Sequence, residues 1–417
     1  MQTPDEVPTT SGAADAGEGS SARRGASTDD RVGAMVSLLL TVPLLADRVI
    51  LLLKPLPRQD CLIYWAAGRL FLFGGDPYSI SSLQVIERSA GWTNAVPLPM
   101  LYPPWVLPFF APLGALPFWS AHYLAFTISL GIEILCSLAL WDYFGGEKRQ
   151  RWIGVLVLLT FLPAASAEQY GQITPLILGG LTIFLLALRR QWFVLAGVPL
   201  VLLVVKPHLL YLVLLAILLW SIQNRRWAIP LSATLCGVAA TVAPIAFNHK
   251  VLSYFHGTVP AALINPCGIG GYLRSVFGWQ HVWLQFLPCV VGLGWFAVYW
   301  MRHRMTWAWE ERIPLVLLVS IGSAAYFWKH DFILGLPAVI ALAIQVARAR
   351  VWLLATFLYV VVQFSILAVY ETVHECVLSL LWIALYWFVS LVCARRLEGP
   401  KRDESRAQDG RATAVEG

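Results

Sequence analysis

Apolar side chains recur in long runs from residue 33 to residue 393, and the polar positions fall mostly between those runs. Stretches such as Leu209–Trp220 are apolar on every side. Strands of an outer-membrane barrel would alternate apolar and polar with period two. Runs near the roughly 17–25 residues that cross a bilayer core instead predict membrane helices, whose backbone hydrogen bonds close within each segment. The pattern predicts an all-α, polytopic membrane protein of about twelve transmembrane helices. These lie near 34–53, 118–142, 152–168, 173–188, 193–205, 208–222, 227–247, 281–301, 313–328, 332–347, 351–370 and 376–393. The stretch Tyr102–Pro117 holds five prolines and reads either as a re-entrant element or as a short kinked span, since proline removes backbone donors.

Composition removes the alternative of a water-soluble globule. Of the 417 residues, 58% are hydrophobic and 13% charged, against roughly 45–50% and 25% in soluble domains. The formal net charge of +6 does not point to nucleic acid, because the basic residues sit in short clusters between apolar runs. Such clusters encode orientation. Arg23, Arg24 and Arg31, Lys148 to Arg151, Arg189 and Arg190, Arg225 and Arg226, Arg302 to Arg312, Arg348 and Arg350, and Arg395 and Arg396 fall on one side. That side is assigned as cytoplasmic, with both termini on it. Residues 1–32 and 397–417 are polar and predict disordered cytoplasmic tails around a transmembrane catalytic domain at 33–396. The first run inserts the protein without a cleavable signal. Seven cysteines show no metal-like spacing, and neither a metal site nor a cofactor is expected.

Ionisable groups gather at helix ends on the opposite, outer side, where the first outer loop (54–117) is expected to carry amphipathic helices. Asp60 follows the first span and opens the segment Asp60-Cys61-Leu62-Ile63-Tyr64; it reads either as a helix N-cap or as a reactive acid at the membrane surface. Gln172, in Glu168-Gln169-Tyr170-Gly171-Gln172, reads as a helix cap or as a ligand for a sugar hydroxyl. Lys206, in Lys206-Pro207-His208, is flanked by apolar residues and must snorkel or meet an anion; a phosphate on a lipid carrier fits. Lys329-His330-Asp331 is a solvated turn or a site where His330 binds phosphate or positions the acid. Arg274 follows the Gly-rich turn Gly268-Ile269-Gly270-Gly271, which lacks the strand and helix of a nucleotide loop.

The ordered set Asp60 with Tyr64, Asp76-Pro77-Tyr78, Tyr102-Pro103-Pro104, Gly171-Gln172, Ala196-Gly197, Lys206-Pro207 and His330-Asp331 resembles glycosyltransferase family 87 of the GT-C superfamily, over roughly residues 55–345. The resemblance implies a GT-C-like membrane enzyme. Members of this kind, such as mycobacterial phosphatidylinositol-mannoside mannosyltransferases, move mannose from polyprenyl-phosphate mannose to an acceptor on the non-cytoplasmic face. Asp60 then stands as the catalytic acid of the first outer loop and His330 as the histidine of a later one.

A lipid-phosphate sugar already carries a good leaving group, so transfer needs chiefly a base for the acceptor hydroxyl and cations for the departing phosphate. The sequence expectation is therefore a hexosyltransferase of the plasma membrane with an outward-facing site, acting in cell-envelope glycolipid assembly. Its partners are a polyprenyl-phosphate sugar donor, a lipid or glycan acceptor and membrane lipids. Asp60 and His330 are the catalytic candidates; Lys206, Gln172, Tyr64, Arg274 and Lys329 are the substrate-binding ones. The reading from another class is a transporter or flippase of lipid-linked sugars, which calls for ionisable groups near the bilayer midplane and paired broken helices.

Overall fold

The computed structural model describes residues 28–53, 59–94, 98–257, 267–369 and 377–397, and among them every regular element is helical. The expected tails up to residue 27 and from residue 398 lie outside the described residues, as do residues 258–266 and 370–376. The first helix, α1 (Thr28–Leu53), begins ahead of Gly33, inside the segment expected as a tail.

Among the described residues, four helices are long and apolar enough to cross a bilayer unaided: Gly33–Ile50 within α1, α5 (Phe118–Tyr143), α12 (Ala228–Phe247) and the continuous Lys329–Ala349. A fifth span forms only if the bent pair α6 (Arg151–Thr160) and α7 (Leu162–Tyr170), which turns by 58°, counts as one. α8 (Thr174–Arg189), the α9–α10 segment (Phe193–Gly197 and Leu200–Leu203) and α11 (Tyr211–Gln223) are shorter, as are Trp309–Gly322 and Trp352–Ala368. At 1.5 Å per residue such pieces reach at most about 25 Å. Among the described residues, the apolar runs thus correspond to four or five helices of membrane length and several shorter ones. The apolar pattern continues through turns such as the one between α10 and α11, where Val205, Leu209 and Leu210 are buried. Irregular backbone at membrane depth is tolerated where protein covers it.

The lipid-facing surface follows the helical period. On α12, Leu231, Leu235, Val238 and Val242 form one exposed stripe, the reverse of the arrangement in a soluble helix. One pair of charges within these helices is instead turned inward. Arg48 of α1 is bonded to Glu168 of α7, with Glu133 of α5 fully buried beside them.

Between α1 and α5 the chain forms α2 (Gln59–Leu72), α3 (Ile80–Ser89) and α4 (Leu107–Gly114). With eight residues, or about 12 Å, α4 cannot span a bilayer; it lies against α2. Two glycines permit this contact: a Cβ on Gly68 would lie 2.2 Å from the Phe110 carbonyl oxygen, and one on Gly114 would lie 2.3 Å from the Arg69 nitrogen. Tyr64 stacks on Phe110 with ring centroids 4.4 Å apart, and Trp65 Nε1 donates to the Leu116 carbonyl. The expectation of an amphipathic helix here is corrected. Residues Cys61 to Gly68 of α2 are all buried, because α4 covers the face that would otherwise meet water, and a helix buried all round carries no polar stripe.

Candidate active site

Asp60 stands in the first turn of α2. It is brought to its partner by Gly171, which ends α7 in the left-handed conformation (φ 67°) while Gln172 N donates to the Ala167 carbonyl at 2.9 Å. Glycine takes this conformation without steric penalty. The turn also admits α2 closely, since a Cβ on Gly171 would lie 2.7 Å from Cys61 Cβ. Gln172 Nε2 then donates to Asp60 Oδ2.

The other end of the Gln172 amide meets Lys206. This lysine lies in the turn between α10 and α11 and is followed by Pro207, which biases its own backbone away from the helical region. Lys206 Nζ donates to Asp331 Oδ1 at 2.8 Å, to Gln172 Oε1 at 3.1 Å and, more weakly, to Thr174 Oγ1 at 3.5 Å. An ammonium has three donors, and all three are directed at protein oxygens. Lys206 therefore neither snorkels nor stands free for an anion; it is the buried pivot of a chain Asp60–Gln172–Lys206–Asp331. Asp331 sits in the 3-10 helix Lys329–Gly335, and its Oδ2 accepts from the Trp328 backbone N–H at 2.9 Å.

Two carboxylates share one ammonium here, but unequally. Asp331 touches Lys206 directly, whereas Asp60 reaches it through an amide. Burial pushes the Asp60 carboxyl up from 3.8 to about 6, and the nearby Asp331 adds to the rise; Lys206 and the Gln172 hydrogen bond pull it back down. A carboxyl held near neutrality is a stronger proton acceptor than an ordinary one.

His330 is buried beside this chain. Its Nε2 lies 3.9 Å from Asp331 Oδ1, and its ring is parallel to Trp328 and 5.8 Å from Tyr170. Lys329, next to it, is half-buried. Tyr64 is one turn beyond Asp60 on α2 and packs against Tyr102 at 5.4 Å, the same Tyr102 whose ring lies 5.8 Å from Lys206 Nζ. Arg274 is placed differently. Its guanidinium bonds the Trp279 carbonyl and Gln285 Oε1 at 2.9 and 3.0 Å, and Gln285 in turn bonds the Ala325 carbonyl. Arg274 thus reaches the site through the segment before Trp328, not by direct approach.

Sequence reasoning chose His330 and passed over Asp331 and Thr174. Asp331 closes a run that has the local signature of a solvated turn, and only its burial with Lys206 distinguishes it. Among the described residues no group of three or more His, Cys, Asp or Glu side chains is placed to hold a metal ion. Chemically, the arrangement offers a half-buried carboxylate, a stronger proton acceptor than an ordinary one because its pKa is raised to about 6, beside a fixed cation, with aromatic rings around both.

The model of glycosyltransferase family 87 matches residues 100–369. This range contains Gln172, Lys206, Arg274, Lys329, His330 and Asp331, and leaves Asp60 and Tyr64 ahead of it. No curated protein and no solved structure matches the chain. With well over half of its length matched, and with apolar helices of membrane length around a buried polar site, the chain belongs to glycosyltransferase family 87 and is a membrane glycosyltransferase.

Proposed function

We propose that this glycosyltransferase moves a hexose, mannose by resemblance, from a polyprenyl-phosphate sugar to a lipid or glycan acceptor at the outer face of the plasma membrane. Asp60 is the general base. The observation that carries this reading is the Asp60–Gln172–Lys206–Asp331 chain, which holds the Asp60 carboxyl in place and sets a cation one amide away. In the reaction the acceptor O–H proton passes to Asp60. The acceptor oxygen bonds the sugar C1 as the C1–O bond to phosphate breaks, and the bonding pair leaves with the phosphate. One such displacement inverts the anomeric centre.

The departing phosphate falls to His330 and Lys329, with the Lys206 charge beneath them. Gln172 and Tyr64 shape the sugar side, while Arg274 acts at one remove through Gln285 and Ala325. No metal or cofactor is assigned a part.

The test is incubation of purified protein with radiolabelled polyprenyl-phosphate mannose and membrane lipids. A new labelled glycolipid that Asp60→Asn fails to make supports the reading; label that never leaves the donor overturns it. The transporter reading draws on Arg48, Glu133 and Glu168, which cluster within the helices. It predicts donor translocation in proteoliposomes with no new glycosidic bond.

A further inference from the structure

A cavity of about 250 Å³ lies at the far end of the bundle from Asp60. α8 joins the two regions: Thr174 at its start meets Lys206, whereas Arg189 at its end lines this cavity. Its 16 residues separate them by about 24 Å. The cavity is built in two tiers. Its floor is aromatic, with Tyr143 and Trp309 buried and Trp220 and Trp307 packed edge-on against Trp309. Its rim carries the exposed side chains of Arg189, Arg226, Gln191 and Glu310.

Two features of this cavity point to a ligand. Trp309 is 5% exposed, and neither its indole N–H nor that of Trp307 has a hydrogen-bond partner among the described residues. A buried donor of this kind calls for an acceptor. Second, Arg226 makes no side-chain hydrogen bond among the described residues; its guanidinium lies 4.3 Å from the Phe193 ring centre, which leaves its donors for an anion. Arg189 is partly committed, since one nitrogen caps the carbonyls of Asp142 and Tyr143.

We infer that this cavity binds the phosphodiester head group of an anionic membrane lipid. Two arginines against Glu310 leave one net positive charge, which matches a monoanionic phosphodiester better than a dianionic monophosphate. At about 30 Å³ per water the space holds roughly eight waters, room for a head group and not for acyl chains, which remain in the lipid beside the apolar helices. Arg226 supplies a charge-assisted contact from the rim, and the buried indole donors are the unmet polar groups of the floor beneath it. This site is independent of the transfer reaction assigned to Asp60.

The test uses purified, delipidated full-length protein and follows its thermal midpoint. Short-chain phosphatidylglycerol is titrated against short-chain phosphatidylcholine as the neutral arm and glycerol 3-phosphate as the soluble arm. Saturable stabilisation by phosphatidylglycerol alone is expected. Arg226→Gln should weaken the apparent affinity about tenfold, the effect of losing one charged hydrogen bond. Trp309→Phe, which keeps the ring and loses the N–H, should weaken it several-fold and serves where Arg226→Gln does not fold. Arg190→Gln, whose guanidinium lies over Trp192 outside the cavity, should leave it unchanged. Equal stabilisation by phosphatidylcholine or by glycerol 3-phosphate overturns the proposal, as does unchanged affinity in both Arg226→Gln and Trp309→Phe.

Discussion

Lys206 Nζ lies 2.8 Å from Asp331 Oδ1 across 125 positions of sequence, and both side chains are buried. Low dielectric strengthens this attraction and makes either charge costly without the other. The pair therefore fixes the turn after α10 against the 3-10 helix Lys329–Gly335, and it holds the Gln172 amide between them and Asp60.

Lys206→Met leaves Asp331 buried without its cation and should destabilise the protein by about 3–5 kcal/mol. Combining it with Asp331→Leu removes both charges and should recover much of that loss. Thermal unfolding in detergent measures both. A single variant with an unchanged midpoint would show that the pair does not support the fold.

Asp60→Asn keeps the size of the side chain and removes the proton acceptor. If Asp60 is the base, transfer should fall by about 10²–10⁴-fold. A helix cap alone would contribute only about 0.5–2 kcal/mol of stability. Single-turnover transfer rates, read beside expression and thermal midpoint, separate these roles.

The Asp60 carboxyl is raised from 3.8 to about 6, which sets two pH trends of opposite sign. Transfer requires the ionised base, so the rate should fall as pH drops through about 6. Stability runs the other way. The folded state binds the proton more tightly than the unfolded chain, so the contribution of Asp60 is full below 3.8 and is lost as pH rises through about 6. Asp60→Asn should flatten this part of the stability profile; a wild-type rate that shows no inflection in this range contradicts the assignment.

Gly171→Ala should harm both fold and activity. The position has φ 67°, and the new Cβ would lie 2.7 Å from Cys61 Cβ, next to Asp60. A strained backbone of this kind costs about 1–3 kcal/mol, and the clash pushes α2 away from Gln172. Adding Cys61→Gly removes the opposing Cβ and should restore part of the transfer rate without restoring full stability. Equal activity in the single and double variants would show that the spacing of α2 and α7 does not govern the site.

Much of this molecule is local enough to be legible in its sequence. Unbroken apolar runs predict helices because a backbone in lipid must satisfy its own hydrogen bonds, and the helices lie where those runs lie. Gly171 marks the end of α7 because few other residues adopt its backbone angles. Lys206 and the Lys329-His330-Asp331 run stand out because charge is rare in such surroundings. Tertiary structure decided what these residues do. The same Lys206 would snorkel in a lone helix, but three oxygens from Gln172, Thr174 and Asp331 enclose its ammonium. Asp331 is a turn residue by its neighbours and a buried counter-ion by its packing. α2 is covered on every side only because Gly68 and Gly114 let α4 approach it. The number of membrane-length helices likewise depends on where turns are buried, which the hydropathy of a run does not record. Hydrophobic period and chain stiffness act over a few residues; desolvation and ion pairing depend on what the rest of the chain brings near.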